Sequence, residues 1–346
     1  MVGQGIAGTL LSYFLLQKKH PFKVVDIPLP GSTSSIAAGV INPITGRRMV
    51  KSWRFDEFST FAKITYKEIG QFLGADLFRD MNILRALPTT FDENEWDRRS
   101  GFSENLPFFS KEVDLGNYRD KIPDIAYGEI TGSAKVDLPL LIQTFRAYLI
   151  RNDLILDEKF SFGNLAFNSE STTYNGNDFD KIIFCEGFHA SYNPFFNYLP
   201  FSFSKGELLL VRIKGLNVDK MLKNKIYIVP VKEDIYWVGS TNSFDYQGID
   251  PTLSQKESLT NTLSNIIKLP FEILSHQAGI RPTVVDKRPL LGLHPKYKNL
   301  AIFNGLGTKG SSLGPFFAQQ MAGFLLNVSE LDPTVDIERF YQKLSD

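Results

Sequence analysis

The stretch MVGQGIAGTLL at the start of the sequence holds three glycines in the order G-x-G-x-x-G. In a turn from strand to helix, such glycines provide a tight bend, close approach of the backbone to a pyrophosphate, and close packing of helix on strand. Apolar residues then recur at helical spacing, and a short apolar strand over residues 22–25 ends on Asp26, where an acid can accept from a ribose hydroxyl. The pattern predicts a dinucleotide-binding βαβ unit. The alternative is an ordinary strand-turn-helix entry in which Asp26 is a solvated charge.

The first strand of this unit is short in the sequence, because only Met1 and Val2 precede Gly3. A complete unit carries several β-forming residues at this position. We therefore expect either that the numbered sequence begins late or that the central strand of the sheet is much reduced.

Composition limits the classes of function. Lys and Arg number 38 and Asp and Glu 38, so no overall field attracts nucleic acid or an anionic membrane. The single cysteine, Cys185, excludes a disulfide framework and a cysteine-based metal cage, and the four histidines are scattered, so no metal site is predicted. A chain of 346 residues has room for about two domains.

The apolar run over residues 6–16 is not an export signal, because its positive charges, Lys18 and Lys19, follow it. No apolar run approaches the roughly 18 residues of a membrane span. We expect a soluble, cytoplasmic protein without a membrane partner.

Strand-rich and helix-rich stretches alternate along the chain, and the pattern of the first residues returns near the end. There, residues 300–304 predict a buried strand, residues 305–310 a glycine-rich loop, and the next residues a helix. The prediction is an α/β fold, with a Rossmann-like domain built from both chain ends and a second, sheet-rich α+β domain.

Four blocks in order carry a family resemblance: residues 2–8 (VGQGIAG) with Asp26, residues 34–43 (SSIAAGVINP), residues 181–187 (KIIFCEG), and residues 279–292 (GIRPTVVDKRPLLG) followed by 304–310 (NGLGTKG). The set resembles the D-amino-acid oxidase/glycine oxidase superfamily of FAD-dependent amine oxidoreductases. It is also similar to the oxidase domain of the bifunctional enzyme that matures wobble uridine in tRNA. The resemblance implies an FAD-binding domain over residues 1–80, 131–200 and 275–346, and a substrate domain over 81–130 and 201–274.

The resemblance implies noncovalent FAD. The second block would pass beside the flavin ring, where small residues let a planar ring lie against backbone. The third block departs from the family pattern by reading Cys185-Glu186-Gly187; no role is assigned to Glu186, and Cys185 is interpreted as a buried strand residue. The predicted cofactor-binding residues are Gly3, Gly5, Ile6, Ala7, Gly8, Asp26, Ser35, Ala38, Gly39, Gly187, Gly305, Gly307, Thr308, Lys309 and Gly310.

The last loop leads into a helix whose N-terminus would stabilise negative charge on the reduced flavin. Lys309 would add a positive charge there, or it is a solvated loop lysine; the two readings have equal weight. Arg281 matches the arginine with which many relatives hold a substrate carboxylate, and the alternative is a structural arginine paired with Asp286. Tyr227 and Tyr236, with Trp237, would wall the substrate pocket unless they are plain core residues.

The segment over residues 47–54 carries four positive charges in eight residues. It would steer an anionic substrate such as tRNA, or it is a solvated helix start, which the balanced overall charge favours. The leading hypothesis is FAD-dependent oxidation of a C–N bond in an amino acid or secondary amine, with a small molecule as partner. The alternatives are oxidative demodification of a carboxymethylaminomethyl group on tRNA uridine and a non-catalytic FAD-binding protein.

Overall fold

The computed structural model describes residues 1–167 and 171–344. Its longer helices each turn an apolar stripe toward a sheet or toward another helix. The α-helices are α1 (Ile6–Gln17), α2 (Phe55–Leu73), α3 (Thr90–Ser100), α4 (Leu138–Arg151), α5 (Leu253–Ser264) and α6 (Gly310–Leu325). None of these helices is long and apolar enough to cross a membrane.

Many of the strands are only two to five residues long. They are β1 (Val24–Val25), β2 (Val40–Ile41), β3 (Ile44–Thr45), β4 (Val50–Lys51), β5 (Phe78–Asp80), β6 (Ile83–Leu87), β7 (Ala126–Ile130), β8 (Ala134–Val136), β9 (Ile155–Leu156), β10 (Leu165–Phe167), β11 (Thr172–Tyr174), β12 (Asn177–Phe179), β13 (Ile182–Phe184), β14 (Ser204–Arg212), β15 (Met221–Asn224), β16 (Ile226–Lys232), β17 (Ile235–Gly239), β18 (Glu272–Arg281), β19 (Leu290–Leu293) and β20 (Leu300–Asn304).

The first residues of the chain form the centre of a largely parallel sheet. Val2 bridges Val25 on one side and Phe184 on the other, both in parallel orientation. Its N–H donates to the Ile183 carbonyl over 2.8 Å, and its carbonyl accepts from the Cys185 N–H over 2.7 Å. Val2 therefore joins the pair β9–β1 to the strands β13–β20–β19. The central strand is as short as the sequence indicates, yet it is paired on both sides.

A second sheet has seven strands in the order β18-β14-β17-β16-β15-β6-β7. Its pairs are antiparallel except where β15 runs parallel to β6. One face packs into the main core with α1, α2, α4 and α6, and the other face packs against α5 in a separate core. Alternate residues of each strand therefore enter different cores.

The two chain ends meet where α1 packs against α6. A methyl group added to Gly310 would lie 3.4 Å from Ile6 Cγ2, and one added to Gly314 would lie 2.7 Å from Leu10 Cδ1. The predicted α/β fold with a Rossmann-like part built from both ends is confirmed. The strand β18 runs through the predicted domain boundary between residues 274 and 275.

Candidate active site

The turn after the first strand requires glycine at two positions. Gly3 has a φ of +98°, and a methyl group on it would lie 2.6 Å from the Cys185 carbonyl oxygen. A methyl group on Gly8 would lie 2.0 Å from the Gly3 carbonyl oxygen. These contacts fix the bend and the close packing of α1 on the sheet, which are two of the three functions expected of the glycine pattern.

The first turn of α1 presents the backbone N–H groups that a helix N-terminus offers to an anion. The helix begins at Ile6, and Gly5 precedes it without a capping side chain. The Ile6 N–H donates to Ser34 Oγ over 3.0 Å, which brings the second block against the helix end. A methyl group on Gly5 would lie 3.2 Å from the same oxygen, so glycine keeps this cradle open. First-turn N–H groups such as that of Ala7, with the exposed Ser35 nearby, fit a diphosphate.

Asp26 is not a solvated charge. Its side chain is 19% exposed and accepts from Arg146 Nη1 over 2.6 Å. Its other oxygen accepts from the Gln4 N–H over 2.9 Å. Burial raises the pKa of Asp26, and the contacts with Gln4 and Arg146 oppose that rise. The carboxylate is thus held beside the glycine turn, where the resemblance expects an acceptor for the adenosine ribose.

The second block lies between the Rossmann-like part and the last helix. A methyl group on Gly39 would lie 1.8 Å from the Val136 carbonyl oxygen, and the neighbouring Ala38 is half-buried. Ser311 Oγ, in the first turn of α6, donates to the Val40 carbonyl over 3.2 Å. Small residues are needed here because backbone from two elements approaches this segment closely.

The third block joins the glycine turn to the last loop. Cys185 is 4% exposed, and burial raises its pKa to about 12, so it is a buried residue at the end of β13. Burial also raises the pKa of Glu186 to about 7, although Asn193 Nδ2 donates to it over 2.7 Å. The Gly187 carbonyl accepts from Asn304 Nδ2 over 2.9 Å. In the described residues, no group of three His, Cys, Asp or Glu side chains is placed to hold a metal ion.

The last loop places Gly305 and Gly307 under the start of α6. Thr308 is exposed and Lys309 is half-buried directly before the helix. Burial lowers the pKa of Lys309, and nearby positive charges lower it further. Because Gly310 contacts Ile6, the N-terminus of α6 lies beside the first turn of α1. The two turns predicted to hold opposite ends of FAD therefore belong to one site.

Arg281 is a cation without an acidic partner in the described part of the chain. It donates to Ser240 Oγ over 2.5 Å, to the Thr241 carbonyl over 3.1 Å and to Asn242 Oδ1 over 3.1 Å. Burial lowers its pKa. The alternative pairing with Asp286 is wrong, because Asp286 accepts from Arg339 Nε over 2.9 Å.

The guanidinium of Arg281 lies directly over a glycine. A methyl group on Gly206 would lie 1.9 Å from Arg281 Nη2. Any larger residue at this position would displace the arginine.

The two predicted tyrosines lie on opposite faces of the seven-stranded sheet. The Tyr227 hydroxyl accepts from Asn42 Nδ2 over 2.8 Å, on the face toward the main core. Tyr236 is 2% exposed and packs with α5, so the structure does not bring it to this site. Its neighbour Trp237 takes that place and donates through Nε1 to the Ile36 carbonyl over 2.8 Å. Neighbouring strand residues point to opposite faces, and only the strand register decides which one faces the site.

The basic segment over residues 47–54 contains the strand β4, leads into α2 and has partly neutralised charge. Lys51 pairs with Asp56 over 2.6 Å, and Arg54 pairs with Glu57 over 2.6 Å and with Asp332 over 2.5 Å. The other two charges, Arg47 and Arg48, are exposed. The arrangement favours the interpretation as a solvated helix start over that of a tRNA-binding patch.

Comparison with known proteins gives the family. The sequence profile of the FAD dependent oxidoreductases called DAO matches residues 1–323. The chain is 21% identical to glycine oxidase of Bacillus subtilis, over 94% of this chain and 92% of that protein.

Two solved structures share the fold at 20% identity, and each comparison covers 96% of this chain and 96% of the solved chain. They are glycine oxidase from Geobacillus kaustophilus, with a TM-score of 0.79, and iminodiacetate oxidase from Chelativorans sp. BNC1, with a TM-score of 0.76. Because the profile matches residues 1–323, the chain belongs to the DAO family of FAD-dependent oxidoreductases.

Proposed function

We propose that the protein oxidises a C–N bond in an amino acid or N-substituted amino acid, and that Arg281 binds the substrate carboxylate. The observation that carries the proposal is the half-buried guanidinium of Arg281, whose hydrogen bonds within the described residues go to neutral oxygens. A carboxylate would supply the missing opposite charge. The relatives named above are oxidases of glycine and of iminodiacetate, and both of these compounds carry a carboxylate on an amine.

The residues that fit FAD are on two sides of the site. The first turn of α1, with Gly5 and Ser34, would bind the diphosphate, and Asp26 would accept from the ribose. Lys309 and the N-terminus of α6 would face the pyrimidine edge of the flavin. When bound, FAD supplies the acceptor for the hydride that leaves the carbon next to nitrogen.

The protein's part in this chemistry is positioning. A planar guanidinium that grips both carboxylate oxygens fixes which face of the carbon is presented. Trp237 and Tyr227 exclude water from the same face of the sheet. Burial raises the pKa of Tyr227, so its hydroxyl stays protonated and can donate to the substrate. The amine binds neutral and gives up an N–H proton as the imine forms, and water then hydrolyses the imine.

The test compares Arg281→Met with Arg212→Met, a half-buried arginine of the same sheet that pairs with Glu272. Binding of a carboxylate inhibitor is measured from the perturbed flavin spectrum. Reduction by a panel of amino acids, N-alkyl amino acids and simple amines is followed without oxygen.

We expect Arg281→Met to weaken carboxylate binding by about 2–5 kcal/mol, because a desolvated ion pair is lost. The flavin spectrum of the free enzyme should not change. If both variants bind the carboxylate inhibitor equally well, Arg281 does not bind the substrate carboxylate. If no amine in the panel reduces the flavin, the result supports the alternative of a non-catalytic FAD-binding protein.

A further inference from the structure

Two further cations lie on the substrate-facing side of the seven-stranded sheet. In register, Gly239 of β17 is opposite Tyr227 of β16, Tyr227 is opposite Lys223 of β15, and Lys223 is opposite Arg85 of β6. Direct cross-strand neighbours point to the same face. Tyr227, Lys223 and Arg85 therefore form one row, on the face that also carries Trp237.

Neither cation has an acidic partner among the described residues. Lys223 Nζ donates to the Lys225 carbonyl over 2.7 Å and lies 4.4 Å from the centre of the Tyr227 ring. Arg85 Nη2 donates to the Gly46 carbonyl over 3.0 Å. Asp92 acts on Arg85 at longer range, outside ion-pair distance, and its carboxylate accepts from the Thr89 hydroxyl.

Two other cations at this sheet have acidic partners. Lys220 contacts Glu129 over 2.7 Å and Arg212 contacts Glu272 over 2.5 Å. Lys223 and Arg85 are half-buried next to each other, and burial, followed by the charge of Arg85, lowers the pKa of Lys223 to about 8. Two adjacent like charges removed from water are unfavourable unless an anion joins them.

The row faces the site and not the far side of the sheet. Residues 36–46, which begin within the segment predicted to pass beside the flavin (34–43), contact this face at three strands: Ile36 accepts from Trp237, Asn42 donates to Tyr227, and Gly46 accepts from Arg85. The segment thus runs along the sheet from the Arg281 side to the Arg85 side.

The separation of the two positive regions sets the size of the ligand. Arg281 places its guanidinium at Ser240 and Thr241, directly after β17. The guanidinium lies over Gly206 of β14, and Lys223 lies on β15, three strands away, which is about 14 Å at the usual strand spacing. One small carboxylate does not span that distance.

We propose that Arg85 and Lys223 bind a second anionic group, a carboxylate or a phosphate, at the far end of the amine substrate. The substrate is then a dianion that Arg281 holds at one end and this pair holds at the other. The inference rests on the proposed function and extends it to a substrate class.

The experiment measures binding to the FAD-loaded protein by calorimetry. The ligands are monocarboxylates, dicarboxylates of increasing length, and carboxylates that end in a phosphonate, with inorganic phosphate as a competitor. The variants are Arg85→Met, Lys223→Met and Lys223→Arg. The matched control is Lys225→Met, which removes an exposed charge two residues away.

We expect the best dianion to bind the parent more tightly than a monocarboxylate of matched length. Arg85→Met and Lys223→Met should raise its Kd about tenfold or more, with the monocarboxylate Kd unchanged, while Lys223→Arg and Lys225→Met retain tight binding. If the carboxylates that end in a phosphonate bind best and inorganic phosphate competes with them, the second anionic group of the substrate is a phosphate. If the dicarboxylates bind best, the second group is a carboxylate.

The proposal is overturned if dianions bind no more tightly than monoanions, or if the two Met variants weaken both ligand classes equally. This failure is separable from failure of the proposed function. If only the dianion proposal fails, monocarboxylates still bind through Arg281. If the proposed function fails, the Kd of a monocarboxylate does not depend on Arg281.

Discussion

Replacing Gly8 with alanine tests the packing that forms the cofactor site. A Cβ at this position would lie 2.0 Å from the Gly3 carbonyl oxygen, and real Cβ contacts essentially never fall below 3.0 Å, so helix and turn must separate by about 1 Å. The turn has little freedom, because the Gly3 N–H donates to the Val25 carbonyl over 3.0 Å. The helix is equally constrained, since Leu10 and Leu11 are fully buried. We expect a loss of about 1–3 kcal/mol in the free energy of unfolding, as for an overpacked core.

The measurement is urea unfolding of the apoprotein, together with titration of FAD into it. Gly163→Ala is the matched control, because a methyl group there meets nothing closer than Ser161 Oγ at 3.6 Å. The free energy of unfolding of the control should stay the same or rise by up to about 1 kcal/mol, because alanine lowers the conformational entropy of the unfolded chain. FAD should bind Gly8→Ala more weakly, because the first turn of α1 has moved. Equal unfolding free energies for the two variants would refute the reasoning.

Two further predictions concern charge and the flavin link. With a Lys223 pKa of about 8, the lysine is charged near pH 7 and neutral near pH 9; the Kd of a dianionic ligand should therefore rise over that interval in the parent but not in Lys223→Arg. Tyr227, whose pKa burial raises, stays neutral throughout, and a pH dependence shared by both proteins would count against Lys223. Heat denaturation should release all flavin into solution, because Cys185 is buried beneath α1 with a pKa raised to about 12; flavin that precipitates with the protein would contradict noncovalent binding.

Local patterns predicted the features that depend on neighbours in sequence. The glycine spacing predicted the bend and the packing of α1, and residues 304–310 predicted the second helix entry. The family resemblance indicated Arg281, and the structure gives its guanidinium no acidic partner among the described residues. The first strand was harder to judge, because sequence rules ask for several β-forming residues, whereas Val2 needs only its two neighbours to pair.

Features that depend on strand register were outside the reach of local patterns. Tyr236 and Trp237 are adjacent and both aromatic, and only the pairing of Gly239 with Tyr227 sets Trp237 toward the site. Arg85 and Lys223 are far apart in sequence and meet through the parallel pairing of β6 and β15. Asp286 is five residues from Arg281, but it binds Arg339, which only the folded chain brings near.

The contact between α1 and α6 has a consequence for biosynthesis. The two helices are separated by roughly 300 residues, which a ribosome adding about 5–20 residues per second takes some 15–60 s to make. For that time the face of the first helix that packs on α6 lacks its partner. In the proposed site, flavin capture is a late event, completed only when the last helix has emerged.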